Sequence, residues 1–154
     1  MAGGGCLRNL GPHGLDLFLF LTGEEAQVTG AQLSWRAVGQ PVEDYASVLV
    51  RSASGILGTI EVGNTFPSAG TDGEWKIAGR DAMLVLKDDT LRLTTASGEE
   101  ALSGQPGEPL ALTALRDVLD HWRRGAAPPI SVHDCLRAVR LIDEAYELAG
   151  RPYG

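Results

Sequence analysis

Residues 45–63, YASVLVRSASGILGTIEVG, place two short apolar runs on either side of a turn. Tyr45 to Ser52 and Ile56 to Gly63 are rich in β-branched and aliphatic side chains, and Ala53-Ser54-Gly55 separates them. Strand-like runs joined by a few turn residues that include glycine are typical of an antiparallel hairpin. We therefore predict that the middle of the chain folds as a sheet built from such hairpins.

Further strand patterns flank this hairpin. Before it, residues 31–37 alternate apolar and polar side chains with a period of two. After it come Trp75 to Ala78, Met83 to Leu86 and Leu91 to Thr94, with turn residues between them. Connections this short leave no room for crossover helices, so neighbouring strands should pair antiparallel. Ser97 to Pro109, rich in Gly, Glu and Pro, is predicted to be a polar linker.

Helical patterns lie at both ends of the chain. Near the start, residues 12–22 predict a short apolar helix, with Pro12 at its first position and Gly23 closing it. A second helix has Leu115, Val118, Leu119 and Trp122 at i, i+3, i+4, i+7 spacing and ends at Gly125 before Pro128-Pro129. A third begins with the capping-box pattern Ser131 to Asp134, carries the stripe Cys135, Ala138, Val139, Ile142 and Tyr146, and ends at Gly150.

This order of elements, helix then strands then helices, defines an α+β fold rather than an alternating βαβ one. We predict a single domain over residues 1–154, with an open, mostly antiparallel sheet of about six strands and helices packed on one face. A chain of 154 residues can bury a sufficient core without metal or disulfide. Its hydrophobic fraction of 44% excludes wholesale disorder.

Charge and composition exclude several classes of function. The net charge is −7 and the basic residues are scattered, which argues against a nucleic-acid partner. The longest apolar run, Leu17 to Leu21, is far below the roughly 20 residues that span a bilayer, so no membrane role is expected. Two isolated cysteines, Cys6 and Cys135, and the absence of a signal-peptide pattern predict a cytoplasmic protein, although one disulfide stays possible.

Polar residues interrupt the apolar N-terminal segment. Asn9, His13 and Asp16, at spacings of four and three, would share one stripe of a helix. Histidine is the natural acid or base near neutral pH, and an amide or carboxylate neighbour can orient it. Two interpretations stay open, structural capping and a functional site. Pro12 complicates both, because Asn9 would then lie either in the turn before the helix or in a kinked helix.

Other candidate groups are better explained as structure. Gly3-Gly4-Gly5 is predicted to be a linker or a turn, because a dinucleotide loop needs a strand before its glycines and only two residues precede them. His121 and His133 are read as solvated or capping residues, and Ser131 as a helix cap rather than a nucleophile. No Cys/His spacing predicts a metal site.

Read as one unit, GGGCLRNLGPHGLD, residues 3–16, resembles the start of the C-terminal domain of the Gfo/Idh/MocA oxidoreductases. That family's pattern there is G-G-G-x-x-x-D-x-G-x-H-x-x-D. The resemblance continues in register through EDY at 43–45, SGILGTIE at 54–61, WKIAGRDA at 75–82 and RRGAAPPIS at 123–131. It covers nearly the whole chain, and the order and spacing of these motifs are more specific than any one of them.

The resemblance implies the substrate-binding and oligomerisation half of an NAD(P)-dependent oxidoreductase that acts on a sugar- or polyol-like hydroxyl or carbonyl. His13 maps onto the family's catalytic histidine, and Asp16 onto a substrate-binding position. Asn9 stands where the family has an aspartate, and an amide cannot carry the charge that stabilises an imidazolium.

In complete family members, NAD or NADP is bound by a Rossmann domain that also carries a lysine in a Glu-Lys-Pro motif. The two lysines here, Lys76 and Lys87, lie in no such motif. We therefore expect no cofactor binding by this chain and no activity from it alone. The family also implies a homodimer or higher homo-oligomer formed through the open sheet face. The alternative hypothesis is a non-catalytic, sheet-mediated interaction module derived from that domain.

Overall fold

The computed structural model describes residues 4–64, 73–87, 90–102 and 110–150. The elements are α1 (Cys6–Thr22), β1 (Ala26–Ser34), β2 (Tyr45–Ser52), β3 (Leu57–Gly63), β4 (Glu74–Ala78), β5 (Ala82–Lys87), β6 (Thr90–Thr95), β7 (Gly98–Leu102), α2 (Leu110–Arg123) and α3 (Val132–Leu148). All strand pairs in these ranges are antiparallel, which confirms the predicted open α+β fold. The chain divides into two compact units, one containing α1, β1–β3 and α3, the other β4–β7 and α2.

The first unit is a three-stranded sheet, in the order β1-β2-β3, with α1 and α3 packed on one face. Alternate residues of β2 face the helices, so Ala46, Val48 and Val50 are buried while Leu49 is 48% exposed on the other face. Leu7 and Leu15 of α1 and Ile142 of α3 complete the core against them. This unit therefore has a single buried layer between its sheet and its helix pair.

The second unit is a four-stranded sheet in the order β4-β5-β6-β7. The cross-strand register places seven large apolar side chains on one face, namely Trp75, Ile77, Leu84, Leu86, Leu91, Leu93 and Leu102. None of them is buried. The opposite face carries the ion pairs of Glu74 with Lys76 and of Arg92 with Glu99. We call the first surface the apolar sheet face.

The strands thus form two ladders in the described residues, rather than the one sheet of about six strands that the sequence predicts. β7 is the seventh strand, and it lies in the segment predicted to be a linker. Its side chains are all exposed, so no apolar alternation marks it. A tight turn pairs Thr95 with Gly98, whose φ of 140° favours glycine. Residues 103–109 of the predicted linker lie outside the described residues.

β1 spans Ala26–Ser34, so the prediction of a strand over 31–37 is wrong at both ends. The strand ends at Ser34 because a buried carboxylate, Asp44, holds the next residues in a turn. Its Oδ2 accepts from the amides of Ala37 and Val38 at 2.8 and 2.7 Å. These two bonds join Asp44 to residues seven and six positions earlier in the chain. The alternation of apolar and polar residues that predicts a strand contains no sign of them.

The capping box of α3 is confirmed. Ser131 Oγ accepts from the Asp134 amide at 3.3 Å, and the Asp134 carboxylate accepts from the Ser131 amide at 2.8 Å. The predicted apolar stripe is confirmed at Ala138, Ile142 and Tyr146, which are buried. It is wrong at Cys135 and Val139, which are exposed, because the face toward the sheet has Leu141 and Ala145 instead.

Candidate functional site

The structure brings the three predicted site residues together on the outer face of α1. Asn9, His13 and Asp16 share one side of the helix by their spacing of four and three, and we call them the polar stripe. Asn9 and His13 are exposed and Asp16 is half-buried. The opposite side, which includes Leu7, Leu15 and Leu19, is buried in the core.

An aromatic side chain extends this stripe. Phe20 follows Asp16 by four residues, so it lies one turn further along the same side, and it is 79% exposed. The outer side of α1 thus presents an apolar ring beside hydrogen-bonding side chains. Its spacing of four residues from Asp16 could have placed Phe20 beside the polar stripe. Phe20 lies within the apolar run Leu17 to Leu21, however, and does not stand out there.

α1 begins at Cys6, so the predicted start at Pro12 is wrong and Pro12 lies inside the helix. Proline in a helix interior removes one hydrogen-bond donor and normally costs about 3 kcal/mol. Here the helix continues past it because its two ends and its inner face are held by other contacts. Gly23, predicted to close α1, does so with φ 65° and an amide that donates to the Leu19 carbonyl.

The first turn of α1 is capped by a residue distant in sequence. Glu43 Oε1 accepts from the amides of Gly5 and Leu7 at 2.8 and 3.1 Å, and the Glu43 carbonyl accepts from the Cys6 amide at 3.0 Å. A Cβ at position 5 would lie 2.0 Å from that carbonyl oxygen, so only glycine fits there. Gly5 is therefore the position at which the backbone of Glu43 comes closest to the start of α1.

α3 completes this cap. The Tyr146 hydroxyl donates to the same oxygen of Glu43, and both residues are buried. Burial first, and then the Glu43 carboxylate, raise the pKa of Tyr146, so the hydroxyl stays protonated as a donor. On the surface beside them Arg8 pairs with Asp143 at 3.0 Å. No local sequence pattern marks this cluster, because Gly5 lies 38 positions from Glu43 and Tyr146 lies 103 positions from it.

Cys6 lies in the same region but is not a nucleophile. Its side chain is fully buried, and its thiol lies 3.6 Å from the Val62 carbonyl. Burial, with the Glu43 carboxylate second, raises the pKa of Cys6 to about 11. The thiol therefore stays protonated near neutral pH and acts as a small apolar core residue. Cys135 is exposed, and both thiols are free.

The remaining candidates have the roles of ordinary helix residues. His121 Nδ1 lies 2.8 Å from the Asp117 carbonyl within α2, and His133 is exposed in the first turn of α3. Ser131 is a cap, as predicted. In the described part of the chain, no group of three or more His, Cys, Asp and Glu side chains is placed to hold a metal. No helix there is long and apolar enough to cross a bilayer.

The N-terminus of α1 does not have the form of a dinucleotide site. A dinucleotide site places the pyrophosphate at an open helix N-terminus that follows a strand. At α1 that position is taken by the protein's own Glu43 carboxylate. The two lysines pair with Glu74 instead, at 2.6 Å for Lys76 and 3.6 Å for Lys87.

Comparison with known proteins agrees with this architecture. Residues 1–85, more than half of the chain, match the GFO/IDH/MocA C-terminal domain. The chain belongs to this family. No curated protein sequence matches it.

Solved structures of oxidoreductases share the fold. Levoglucosan dehydrogenase, in complex with NADH and levoglucosan, superposes with a TM-score of 0.84 at 21% identity over 97% of this chain and 49% of that one. Aldose-aldose oxidoreductase from Caulobacter crescentus, complexed with glycerol, gives 0.83 at 22% identity over 96% and 46%. An oxidoreductase from Agrobacterium radiobacter, in complex with NAD+, L-tartaric acid and magnesium, gives 0.80 at 20% over 96% and 48%. The chain thus spans about half the length of these proteins.

Proposed function

We propose that this chain is the substrate-binding and oligomerisation half of an NAD(P)-dependent oxidoreductase that acts on a sugar- or polyol-like hydroxyl or carbonyl. The observation that carries the proposal is the polar stripe, Asn9, His13 and Asp16, on the exposed side of α1. The family's catalytic histidine maps onto His13, and the helix presents that side chain to solvent. We further propose that residues 1–154 act as one functional domain in the cytoplasm, where two free thiols would persist.

His13 is the proposed proton-transfer residue. Its imidazole takes the proton of a substrate hydroxyl on oxidation and returns it to the carbonyl oxygen on reduction. Asn9, one turn earlier, orients the ring through its side-chain amide. Asp16, one turn later, accepts hydrogen bonds from neighbouring substrate hydroxyls. NAD or NADP, bound outside the residues described here, would exchange the hydride.

A carbohydrate-like substrate suits the whole exposed side of α1. Sugars and polyols present hydroxyl groups beside C–H surfaces, and Asp16 and Phe20 offer a partner for each. Levoglucosan dehydrogenase and aldose-aldose oxidoreductase, whose fold this chain shares, act on such molecules by their names. We therefore propose levoglucosan and glycerol as first probes.

Ligand titration of the chain tests this proposal. Levoglucosan should shift the backbone amide resonances of Asn9, His13 and Asp16, and His13→Ala should weaken that binding by about fivefold through the loss of a hydrogen bond. His133→Ala is the matched control, because His133 is also exposed on a helix. NADH titrated into the same chain should give no binding. Sugar-induced shifts confined to α2 or α3 would refute the proposed site.

The oligomerisation role is supported by the apolar sheet face. Seven large apolar side chains that are not buried form a continuous surface of the kind that marks a protein interface. A second copy of this chain is the proposed partner, giving a homodimer or a larger homo-oligomer.

The same surface supports a second candidate function, a non-catalytic interaction module. Asn9 in place of the family's aspartate favours it, because the imidazolium then loses a charged partner. For such a module, His13→Ala would leave assembly intact, and the parent protein would show no turnover with a nucleotide-binding domain supplied. Measurable turnover that His13→Ala abolishes would exclude the module.

A further inference from the structure

One oxygen atom joins α1, the segment before β2, and α3. Glu43 Oε1 accepts from the Gly5 and Leu7 amides and from the Tyr146 hydroxyl. Glu43 is 3% exposed and Tyr146 is 5% exposed, so water does not compete for these bonds. The side chains of the nearby Arg8–Asp143 pair are more exposed, at 37% and 43%. Because water screens such a pair, it contributes less to fixing the position of α1.

We infer that Glu43 and Tyr146 are positioning residues for His13, an inference that rests on the proposed function of that histidine. The Glu43 carboxylate fixes the first turn of α1, and the Tyr146 hydroxyl fixes the carboxylate. Neither side chain is placed on the exposed side of α1, so they act through the helix rather than on a substrate.

Because of Pro12, the position of His13 depends on how firmly the first turn of α1 is held. Proline has no amide hydrogen, so the helical hydrogen-bond ladder is interrupted immediately before His13. On the far side of the interruption, Gly14 packs on Ile60 of β3 so closely that a Cβ would lie 2.8 Å from its methyl carbon. His13 therefore lies between two anchors, the Glu43 cap and the Gly14 contact. If the Glu43 cap is lost, the helical turn that contains Asn9 can move relative to the turn that contains His13.

Hydrogen exchange and imidazole resonances of the isolated chain test this inference without a substrate. Tyr146→Phe removes only the hydroxyl, and Tyr45→Phe is the matched control because Tyr45 donates to Glu61 on the other sheet face at 3.3 Å. In Tyr146→Phe, the Asn9 amide, which donates to the Gly5 carbonyl, should exchange about tenfold faster. The His13 ring resonances should move, while those of His133, which is exposed at the start of α3, should stay unchanged.

Glu43→Gln is the second variant. The amide oxygen of the glutamine can still accept from the Gly5 and Leu7 amides. Amide hydrogen exchange in α1 should therefore accelerate less in Glu43→Gln than in Glu43→Ala. Equal acceleration of exchange in α1 and α3, with His13 resonances unmoved, would overturn the inference and leave a purely global stabilising role. Failure of levoglucosan to bind would count against the proposed function and not against this anchor.

Discussion

Tyr146 shows what one buried hydroxyl contributes. Its bond to the Glu43 carboxylate is charge-assisted and shielded from water, which makes it stronger than a surface hydrogen bond. Tyr146→Phe should lower the free energy of unfolding by about 1.5–3 kcal/mol, because the carboxylate then stays buried with one partner fewer. Urea denaturation measures this. Tyr45→Phe, at a more exposed tyrosine–glutamate pair, should cost less than about 1 kcal/mol, and equal losses would contradict the burial argument.

The two cysteines differ in burial, and their chemistry should differ accordingly. The pKa of Cys6 is raised from its usual 9.0 to about 11, so the folded state keeps a proton that the unfolded chain loses. Its contribution to stability is therefore complete below about pH 9 and is lost as the pH rises toward about 11. We expect a thiol reagent at neutral pH to label Cys135 alone, and Cys6→Ala to flatten the alkaline loss of stability. Rapid labelling of Cys6 in the folded chain would refute this assignment.

At the scale of elements, the contact between α1 and β3 depends on the absence of a side chain at Gly14. A methyl group there would approach Ile60 to 2.8 Å, closer than carbon atoms pack. Gly14→Ala should therefore destabilise the chain by about 1–3 kcal/mol, although alanine favours helices. Thermal unfolding measures the loss. Gly79→Ala is the control, since a Cβ there would lie 3.5 Å from its neighbour, and a more stable Gly14→Ala would disprove the contact.

Local signals predicted some elements well and missed others. The β2–β3 hairpin and the α3 capping box follow from residues within a few positions of one another, and both are confirmed. The start of α1 and the end of β1 were predicted wrongly, because Glu43 and Asp44 fix them from distant or buried positions. β7 was missed because cross-strand hydrogen bonds, rather than an apolar face, hold it.

The candidate site was also only partly predictable from the sequence. Helical spacing was enough to place Asn9, His13 and Asp16 on one stripe, and the structure confirms that grouping. The residues that support the stripe, Glu43 and Tyr146, lie 103 positions apart and could not be joined by any pattern in the sequence.

For the whole molecule, the apolar sheet face is the proposed contact between copies of the chain. Leu86 and Met83 lie on opposite faces of β5 and are 40% and 38% exposed, so they form a matched pair. Leu86→Glu places a charge in the proposed interface and should convert the oligomer to monomers, whereas Met83→Glu should not. Size-exclusion chromatography with light scattering gives the mass of each variant. A wild-type monomer, or equal effects of both substitutions, would exclude this interface.

The proposed function requires that the exposed side of α1 provide the proton-transfer group of an oxidoreductase. Its most direct test joins the chain to a nucleotide-binding domain of the family and follows NAD(P)H formation with sugar and polyol substrates. His13→Ala should lower kcat by about 10²–10⁴-fold while the fold persists, and His133→Ala should leave kcat unchanged. Equal turnover of the His13→Ala variant and the parent would refute proton transfer by His13.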